Sequence, residues 1–360
     1  MDKITLEKVL NKFRNKRVFI TGHTGFKGSW LTMLLKQLGA QVRGYALEPV
    51  SSPNHFDLLD INNDIDHIIG DIRDYSNLKA SMQSFKPEFV FHLAAQALVI
   101  RSYEDPVDTF STNIMGSNHL LESVRDCNSV KSLVYITSDK CYENLEWEYG
   151  YRENDKLGGH DPYSASKAAA EILFSTYQRS FFSQIPELGV GSARAGNVIG
   201  GGDWSLNRII PDCIRSIESN EPIILRNPSA IRPWQHVLEP LTGYLYLAYA
   251  LCESPDRFSG SWNFGPKISE VRTVEEVAKN IIEYYGKGKI RISNTSNKQH
   301  ESQLLQLNCD KANQNLNWNP KWDIQDTIKF SAEWYKSFYD NQMANAITSK
   351  QISNYFNGAL

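Results

Sequence analysis

Short apolar runs alternate with stretches of helical periodicity through the first half of the chain. The runs lack strict polar alternation, as expected of strands that are buried on both faces. They predict five strands, at Arg17–Thr21, Gln41–Tyr45, His67–Ile69, Phe89–His92 and Ser132–Thr137. Apolar positions at helical spacing predict helices between and after them, at Gly28–Leu38, Ser76–Phe85, Asp108–Arg125 and Ser164–Phe182. This alternation indicates an α/β fold with a doubly wound parallel sheet.

The pattern changes after about residue 200. The second half predicts helices at Pro211–Ser219, Val237–Cys252 and Thr273–Tyr285, and short strands at Pro222–Arg226 and Leu304–Asn308. The tail from Asn341 is polar and weakly patterned, which favours a surface arm. We therefore expect a first domain over residues 1–200, interleaved with later segments, a smaller α/β lobe over 201–340 and a tail over 341–360. Because no Pro/Gly/Ser-rich linker separates the lobes, we expect them to pack closely around a cleft.

Composition and charge exclude several classes of protein. The 360 residues carry a formal net charge of −3, so no global field attracts nucleic acid. The longest apolar run, about residues 89–100, is too short to span a membrane, and residues 1–17 lack the apolar core of a signal peptide. Five scattered cysteines show no metal-ligand spacing. We expect free thiols, no metal site and a cytoplasmic location.

A glycine-rich loop follows the first predicted strand and consists of Gly22, His23, Thr24, Gly25, Phe26, Lys27 and Gly28. Glycine lets the backbone approach a pyrophosphate, and the N-terminus of the following helix offers N–H groups to the anion. The spacing alone is a weak signal, but a strand before it and a helix after it predict a Rossmann-type NAD site. Lys27 is either a phosphate ligand or a solvated surface lysine, and both interpretations stay open.

Two acidic residues are candidates for the adenosine end of this cofactor. Glu48 lies 20 residues after Gly28, just past the second strand, where a carboxylate binds the ribose and favours NAD over NADP. Asp71 follows the third strand and is placed to contact the adenine amino group. The alternative for Asp71 is a helix N-cap.

Tyr163 and Lys167 form a Tyr-x-x-x-Lys pair on one face of a predicted helix. The ammonium can lower the tyrosine pKa from about 10 toward neutrality, so that Tyr163 accepts a hydroxyl proton as hydride leaves the carbon. The same spacing occurs twice more, at Tyr75/Lys79 and Tyr285/Lys289. Only Tyr163 opens a predicted helix one element after the fifth strand, whose carboxyl end also carries Ser138, and catalytic groups gather at such ends. Ser138 is predicted to hydrogen-bond the reacting hydroxyl.

Six segments carry a resemblance to a known family: TGHTGFKGSWL, FHLAAQALV, YITSDKCYEN, HDPYSASKAAAE, ARAGNVIGGGDW and RPWQHVLEPLTGYL. They closely resemble the CDP-glucose 4,6-dehydratases of the extended short-chain dehydrogenase/reductase superfamily, from about Lys16 to about Asp326. TGxxGxxG and YxxxK mark only the superfamily, whereas SDKCY and RPWQHVLEP are more specific. Related dehydratases that act on dTDP-glucose carry Asp-Glu where this chain has Asp139-Lys140.

The resemblance implies an internal redox cycle on CDP-glucose. NAD oxidises C4, water is lost across C5 and C6, and the hydride returns to C6. Asp139 and Lys140 then supply the acid and the base of the elimination, if burial raises the pKa of Asp139 and lowers that of Lys140; the alternative is an exposed pair in a loop. The resemblance places further residues beside the cofactor (Ile72, Ala94, Ala95) or the sugar nucleotide (Asn197, Arg208, Arg232, Trp234, Gln235). The arginines suit a diphosphate, although each alone is also compatible with an ordinary ion pair, and Trp234 with the core.

Two other functions remain open. A 4-epimerase, or a dehydratase for another nucleotide sugar, shares the core, but an epimerase has no need of Asp139 and Lys140. An NAD-binding redox regulator would not need the Ser138, Tyr163 and Lys167 set. The resemblance also implies a homodimer or tetramer built through the two long helices at 108–125 and 164–182, and a pathway toward a 3,6-dideoxyhexose of a surface polysaccharide.

Overall fold

The structure, a computed structural model, describes residues 3–267, 270–293 and 304–359. The strands are β1 Arg17–Thr21, β2 Gln41–Ala46, β3 Asp66–Ile69, β4 Phe89–His92, β5 Ser132–Ile136, β6 Gly189–Ala195, β7 Val198–Ile199, β8 Ile223–Leu225, β9 Ile231–Arg232, β10 Gln235–His236, β11 Gly260–Phe264, β12 Arg272–Thr273 and β13 Ile290–Ile292. Seven of them form one sheet in the order β3-β2-β1-β4-β5-β6-β11, and every neighbouring pair is parallel.

The α-helices are α1 Leu6–Asn11, α2 Phe26–Gln37, α3 His55–Leu59, α4 Tyr75–Phe85, α5 Val99–Glu104, α6 Pro106–Phe110, α7 Ser117–Arg125, α8 Pro162–Ser180, α9 Ile209–Glu218, α10 Leu238–Glu253, α11 Pro255–Phe258, α12 Val274–Tyr285, α13 Asp310–Leu316, α14 Ile324–Tyr339 and α15 Ala344–Tyr355. A π-helical segment, Ser111–Gly116, joins α6 to α7. The helix predicted over Asp108–Arg125 is therefore continuous in path but changes its hydrogen bonding in the middle.

Apolar cores cover both faces of the large sheet. One contains Trp30 of α2 and Leu241 of α10, and the other contains Leu120 of α7 and Phe174 of α8. Burial on both faces explains why β1, β4 and β5 read as short apolar runs. The predicted doubly wound α/β fold is confirmed, and the sheet reverses its order between β1 and β4, where such folds bind ligands.

Several predictions for the second half need correction. The strand predicted at Leu304–Asn308 is wrong, since only Leu307 bridges to another segment there, at Tyr151. The predicted surface arm after Asn341 is also wrong. It contains α15, which contacts α14 and α3 and buries apolar side chains among polar ones, including Ile352 and Tyr355. Two strands of the large sheet, β6 and β11, are absent from the predicted set.

Among residues 3–267, 270–293 and 304–359, no helix combines the length and the apolar character needed to cross a membrane.

Candidate active site

A cavity of about 910 Å³ opens where the strands of the large sheet end. The chain leaves β1, β4 and β5 at Gly22, Leu93 and Thr137, and all three residues line this cavity. So do all the predicted site residues except His23 and Gln235. Parallel strands thus bring together residues that lie up to about two hundred positions apart in sequence.

The glycine-rich loop is shaped by two backbone contacts that exclude side chains. Gly22 has φ +76°, and a Cβ added to it would lie 2.6 Å from the Ala94 nitrogen. A Cβ added to Gly28 would lie 2.0 Å from the Gly22 oxygen. Gly25 is the N-cap of α2, and no side chain caps that helix end. The first-turn N–H groups at the cavity therefore remain available for an anion.

Lys27 points into the cavity and is not a solvated surface residue. Its Nζ lies 3.5 Å from the Tyr244 hydroxyl. Burial, together with the positive charges of Arg208 and Lys167, lowers the pKa of Lys27 to about 7. An anion placed in the cavity would restore this charge, which supports the phosphate interpretation.

His23 and Gln235 do not line the cavity. The His23 Nε2 lies 2.6 Å from the His67 Nδ1, and burial lowers the pKa of the His23 ring to about 3. The fully buried His23 supports the back of the loop. The Gln235 amide donates to the Phe264 oxygen at 2.9 Å, so it ties β10 to the end of β11. Both side chains point away from the cavity lining, and a role of either residue in ligand binding stays a prediction.

Both carboxylates that were predicted to contact adenosine line the cavity. Glu48 is exposed at the rim, two residues after β2. Asp71 accepts hydrogen bonds from the Arg73 guanidinium, which hold the pKa of its carboxyl below the usual range. The N-cap of α4 is Asp74, so the N-cap alternative for Asp71 is wrong. Beside it, Ile72 is buried at the cavity wall.

The predicted redox residues meet at the start of α8 and the end of β5. Asp161 caps α8 by accepting from the Ser164 N–H at 2.9 Å, and Pro162 occupies the first turn. This cap fixes where the helix begins and therefore where Tyr163 and Lys167 point. Both are buried and line the cavity together with Ser138.

Burial shifts the pKa values of Tyr163 and Lys167. It raises the pKa of Tyr163 to about 12, against a hydrogen bond with Ser138 that lowers it. Burial also lowers the pKa of Lys167 to about 8, against the carboxylate of Glu171. The expected shift of the tyrosine toward neutrality is therefore wrong for this structure. The physical reason is that the low-polarity site disfavours tyrosinate and ammonium alike.

Asp139 and Lys140 are not an exposed pair in a loop. Asp139 is 3% exposed, and its Oδ1 accepts from the Ser138 hydroxyl at 2.9 Å. Its Oδ2 has no hydrogen-bond partner in the described part of the chain. Burial raises the pKa of this carboxyl, against the charge of Lys140, which lines the same cavity. A carboxyl that keeps its proton can act as an acid toward a departing hydroxyl.

A buried ion pair behind the redox residues was not predicted. The Arg194 guanidinium lies 2.7 Å from Glu171, and both side chains are almost fully buried. Glu171 also accepts from Ser192 at 2.8 Å and from Thr137. Since Glu171 follows Lys167 by one helical turn, its carboxylate supports the lysine charge. The sequence signal was Arg194, the one charged residue of β6.

Asn113 is a second functional candidate that the sequence analysis missed. It lies in the π-helical segment, is 1% exposed, and donates to the Ser166 hydroxyl at 2.8 Å and to the Gln96 oxygen at 3.0 Å. It thus links the loop after β4 to the helix that carries Tyr163. A π-segment often marks a functional site, but nothing in the local sequence predicts one.

The same cavity is lined by the predicted sugar-nucleotide residues Asn197, Arg208, Arg232 and Trp234, and Trp234 is also part of the apolar core. The Arg208 guanidinium is held by Asp203 at 2.8 Å. Arg226, which was not predicted, lines the cavity as well. In the described part of the chain, no group of three His, Cys, Asp or Glu side chains could hold a metal ion.

The doubly wound sheet, the glycine-rich loop and the Ser-Tyr-Lys group in one nucleotide-sized cavity define an extended short-chain dehydrogenase/reductase. The family model described as GDP-mannose 4,6 dehydratase matches residues 19–330. The chain therefore belongs to this family of nucleotide-sugar 4,6-dehydratases.

Individual relatives agree with this assignment. The chain is 47% identical over 349 residues to the CDP-glucose 4,6-dehydratase of Salmonella typhimurium, covering 96% of this chain and 97% of the relative. Among solved structures, the dTDP-glucose 4,6-dehydratase of Bacillus anthracis in complex with NAD is similar, with a TM-score of 0.74, 22% identity and coverage of 90% and 98%. The UDP-glucose 4-epimerase of Thermus thermophilus with NAD has a TM-score of 0.77, 24% identity and coverage of 88% and 98%. The predicted fold and family are confirmed.

Proposed function

We propose that the chain is a CDP-D-glucose 4,6-dehydratase that forms CDP-4-keto-6-deoxy-D-glucose. One observation carries the proposal: a buried carboxyl, Asp139, and the adjacent Lys140 share a cavity with the Ser-Tyr-Lys group. Oxidation and epimerisation need only that group, whereas loss of water also needs an acid and a base. The 47% identity to the Salmonella typhimurium enzyme supports CDP-glucose as the substrate.

NAD fits the glycine-rich loop. The backbone there is too close-packed to carry side chains at Gly22 and Gly28, and the uncapped start of α2 faces the cavity. Glu48 at the rim suits the ribose hydroxyls, and a further set lines the nearby wall: Asp71, Ile72, Ala94 and Ala95. When bound, NAD supplies a hydride acceptor for C4 of the glucose and later a hydride donor for C6.

The residues divide into a redox group and an elimination group. Tyr163 takes the proton of the C4 hydroxyl, Ser138 hydrogen-bonds the same oxygen, and Lys167 stabilises the tyrosinate. The C4 ketone acidifies the proton at C5. Lys140, when neutral, accepts that proton, and Asp139 donates a proton to the hydroxyl that leaves C6 as water. The raised pKa of Asp139 supports the second role.

The diphosphate would lie against the arginines that line the cavity. Arg208 and Arg232 offer guanidinium forks to its oxygens, and Asn197 lines the same cavity. Trp234 also lines the cavity, and it is almost fully buried because it packs in the apolar core.

We predict that NAD is used catalytically and is not consumed. With CDP-glucose in large excess and only trace NAD, the enzyme should convert all substrate to a 4-ketosugar with no net reduced nicotinamide, because the hydride is returned. The product is measured by its ketone absorbance and by NMR. dTDP-glucose and UDP-glucose serve as matched substrates and should turn over poorly. Stoichiometric build-up of reduced nicotinamide would indicate a simple dehydrogenase, and a sugar inverted at C4 would indicate an epimerase.

We also propose a homodimer built through the helices α6–α7 and α8, with a tetramer as its extension. Exposed apolar side chains on these mutually packed helices support it: Val107, Met115 and Ile172 are 78%, 50% and 57% exposed. A two-fold contact would bury this patch against itself.

For the dimer we predict that Ile172→Glu lowers the molar mass in solution by half, measured by light scattering, because a buried unpaired carboxylate opposes association. Ile224→Glu, at a residue of β8 that is 48% exposed, should leave the mass unchanged. An unchanged mass for Ile172→Glu would remove α8 from the interface.

The family resemblance also suggests a cellular compartment and a pathway for the product. Five unpaired cysteines support a reducing compartment such as the cytoplasm. We propose that the 4-ketosugar is consumed by reactions that remove the 3-hydroxyl, leading to a 3,6-dideoxyhexose of a surface polysaccharide.

A further inference from the structure

The loop over residues 200–208 lies between the cavity and α14. Most of its residues line the cavity, and its last residue is Arg208. Helix α14 covers the other face of the loop, and neither the motifs nor the proposed chemistry assigns this helix a role. The two helices α14 and α15 contact each other.

One hydroxyl on α14 pairs both backbone groups of Asp203. The Tyr335 hydroxyl accepts from the Asp203 N–H at 2.9 Å and donates to the Asp203 carbonyl oxygen. Tyr335 is fully buried, so no solvent can replace this hydroxyl at little cost.

The Asp203 side chain in turn holds the Arg208 guanidinium. Its Oδ2 accepts from the Arg208 Nη1 at 2.8 Å, and its Oδ1 accepts from the Ser205 N–H at 3.0 Å. Tyr335, Asp203 and Arg208 thus form one chain of hydrogen bonds from α14 to the cavity.

Aromatic packing keeps the same loop against α14. A Cβ added to Gly201 would lie 1.9 Å from the Trp334 ring, so that glycine and ring are in close contact. Trp204 packs edge-on against Tyr335, with ring centroids 5.8 Å apart, and against Phe338 at 5.5 Å. The loop therefore has little room to shift, and its backbone hydrogen bonds to Tyr335 decide its fine position.

We propose that Tyr335 is a positioning residue of the sugar-nucleotide site, which fixes Asp203 so that Asp203 orients Arg208 toward the diphosphate. This inference rests on the proposed function, which assigns Arg208 to that diphosphate. The diphosphate lies away from the reacting carbons C4 to C6 of the glucose. A loss of orientation should therefore weaken ground-state and transition-state binding alike, which raises KM and leaves kcat unchanged.

Tyr335→Phe tests the proposal because it removes only the hydroxyl. The affinity for CDP, measured by calorimetry on the full-length protein, should fall about 5- to 20-fold. KM for CDP-glucose should rise by the same factor, kcat should stay within about two-fold, and NAD affinity should be unchanged. Tyr339→Phe, one turn later on α14 with its ring 37% exposed, is the matched control and should change nothing.

A double-mutant cycle with Arg208→Ala separates the possible outcomes. If Tyr335 acts through Arg208, Tyr335→Phe should have no further effect on CDP affinity in the Arg208→Ala background. Asp203→Asn changes the carboxylate that accepts from Arg208, so it should lower CDP affinity as Tyr335→Phe does. It tests the same series of hydrogen bonds if Tyr335→Phe folds poorly. Additive losses in the double variant, or a loss of CDP affinity in Arg208→Ala with none in Tyr335→Phe, would overturn the positioning role. Unchanged CDP affinity in Arg208→Ala would instead contradict the diphosphate assignment of the proposed function.

Discussion

Tyr163→Phe should lower kcat by about 10²- to 10⁴-fold, the usual value of a general acid–base group, while the protein stays folded. The ring remains in place, and only a hydroxyl at the cavity wall is lost. Without it, no group at that position accepts the C4 hydroxyl proton, so oxidation and every later step slow together. Affinities for NAD and CDP should stay close to those of the unchanged protein.

The measurement follows the first step directly. CDP-glucose deuterated at C4 should show a larger isotope effect on kcat in Tyr163→Phe, because hydride transfer becomes rate-limiting. The chain offers a matched control in Tyr75→Phe. Lys79 lies 3.4 Å from the Tyr75 hydroxyl, so this is an intact Tyr-x-x-x-Lys pair, but neither residue lines the cavity. Near-normal turnover of Tyr163→Phe would remove Tyr163 from the mechanism.

The pKa values show which part of the site's electrostatics the sequence spacing could not predict. A four-residue spacing places Tyr163 and Lys167 on one helix face, but it says nothing about how deeply that face is buried. Burial disfavours both charged forms, so the tyrosine pKa moves up and the lysine pKa moves down. Glu171 offsets this for Lys167, and the Ser138 hydrogen bond and the Arg208 charge offset it for Tyr163.

The strands also show what could not be predicted from the sequence alone. β1, β4 and β5 were predictable because each is a short, mainly apolar run. β6, Gly189–Ala195, is buried along its whole length, yet it contains Ser192 and Arg194. Their partner, Glu171, lies in α8, so the reason a polar sequence can form a central strand is visible only in three dimensions.

The tail illustrates a different cause. Its polar residues suggested a surface arm, but several of them are buried and paired. Thr348 of α15 hydrogen-bonds the His55 ring at 3.0 Å and the Trp334 indole at 3.0 Å. Hydrophobic periodicity is weak in an element whose inward face mixes apolar side chains with hydroxyl and amide groups, as α15 mixes Ile347 and Ile352 with Thr348 and Gln351.

Lys140→Met should separate dehydration from oxidation. Asp139 and Lys140 follow Ser138 directly, and all three line one cavity, yet their proposed tasks differ. Methionine keeps an unbranched apolar side chain but cannot accept the C5 proton. The variant should therefore bind NAD and CDP-glucose and still oxidise C4, because Ser138, Tyr163 and Lys167 are intact.

The elimination should then stall. In a single turnover, reduced nicotinamide should accumulate to the concentration of enzyme, while formation of the 6-deoxy product falls by about 10²- to 10⁴-fold. Exchange of the C5 proton with deuterated solvent should fall to the same extent. Lys279→Met, at a side chain of α12 that is 63% exposed, is the control and should behave as the unchanged protein.

Lys140→Glu is the companion variant, because related dehydratases carry Asp-Glu at these two positions. A carboxylate can also accept the C5 proton, so some product formation should return relative to Lys140→Met. Two results would contradict the base assignment. Undiminished C5 exchange in Lys140→Met would show that another group removes the proton. Weaker CDP-glucose binding with normal turnover at saturation would instead show that Lys140 holds the diphosphate, since a residue needed only for binding changes KM and leaves kcat unchanged.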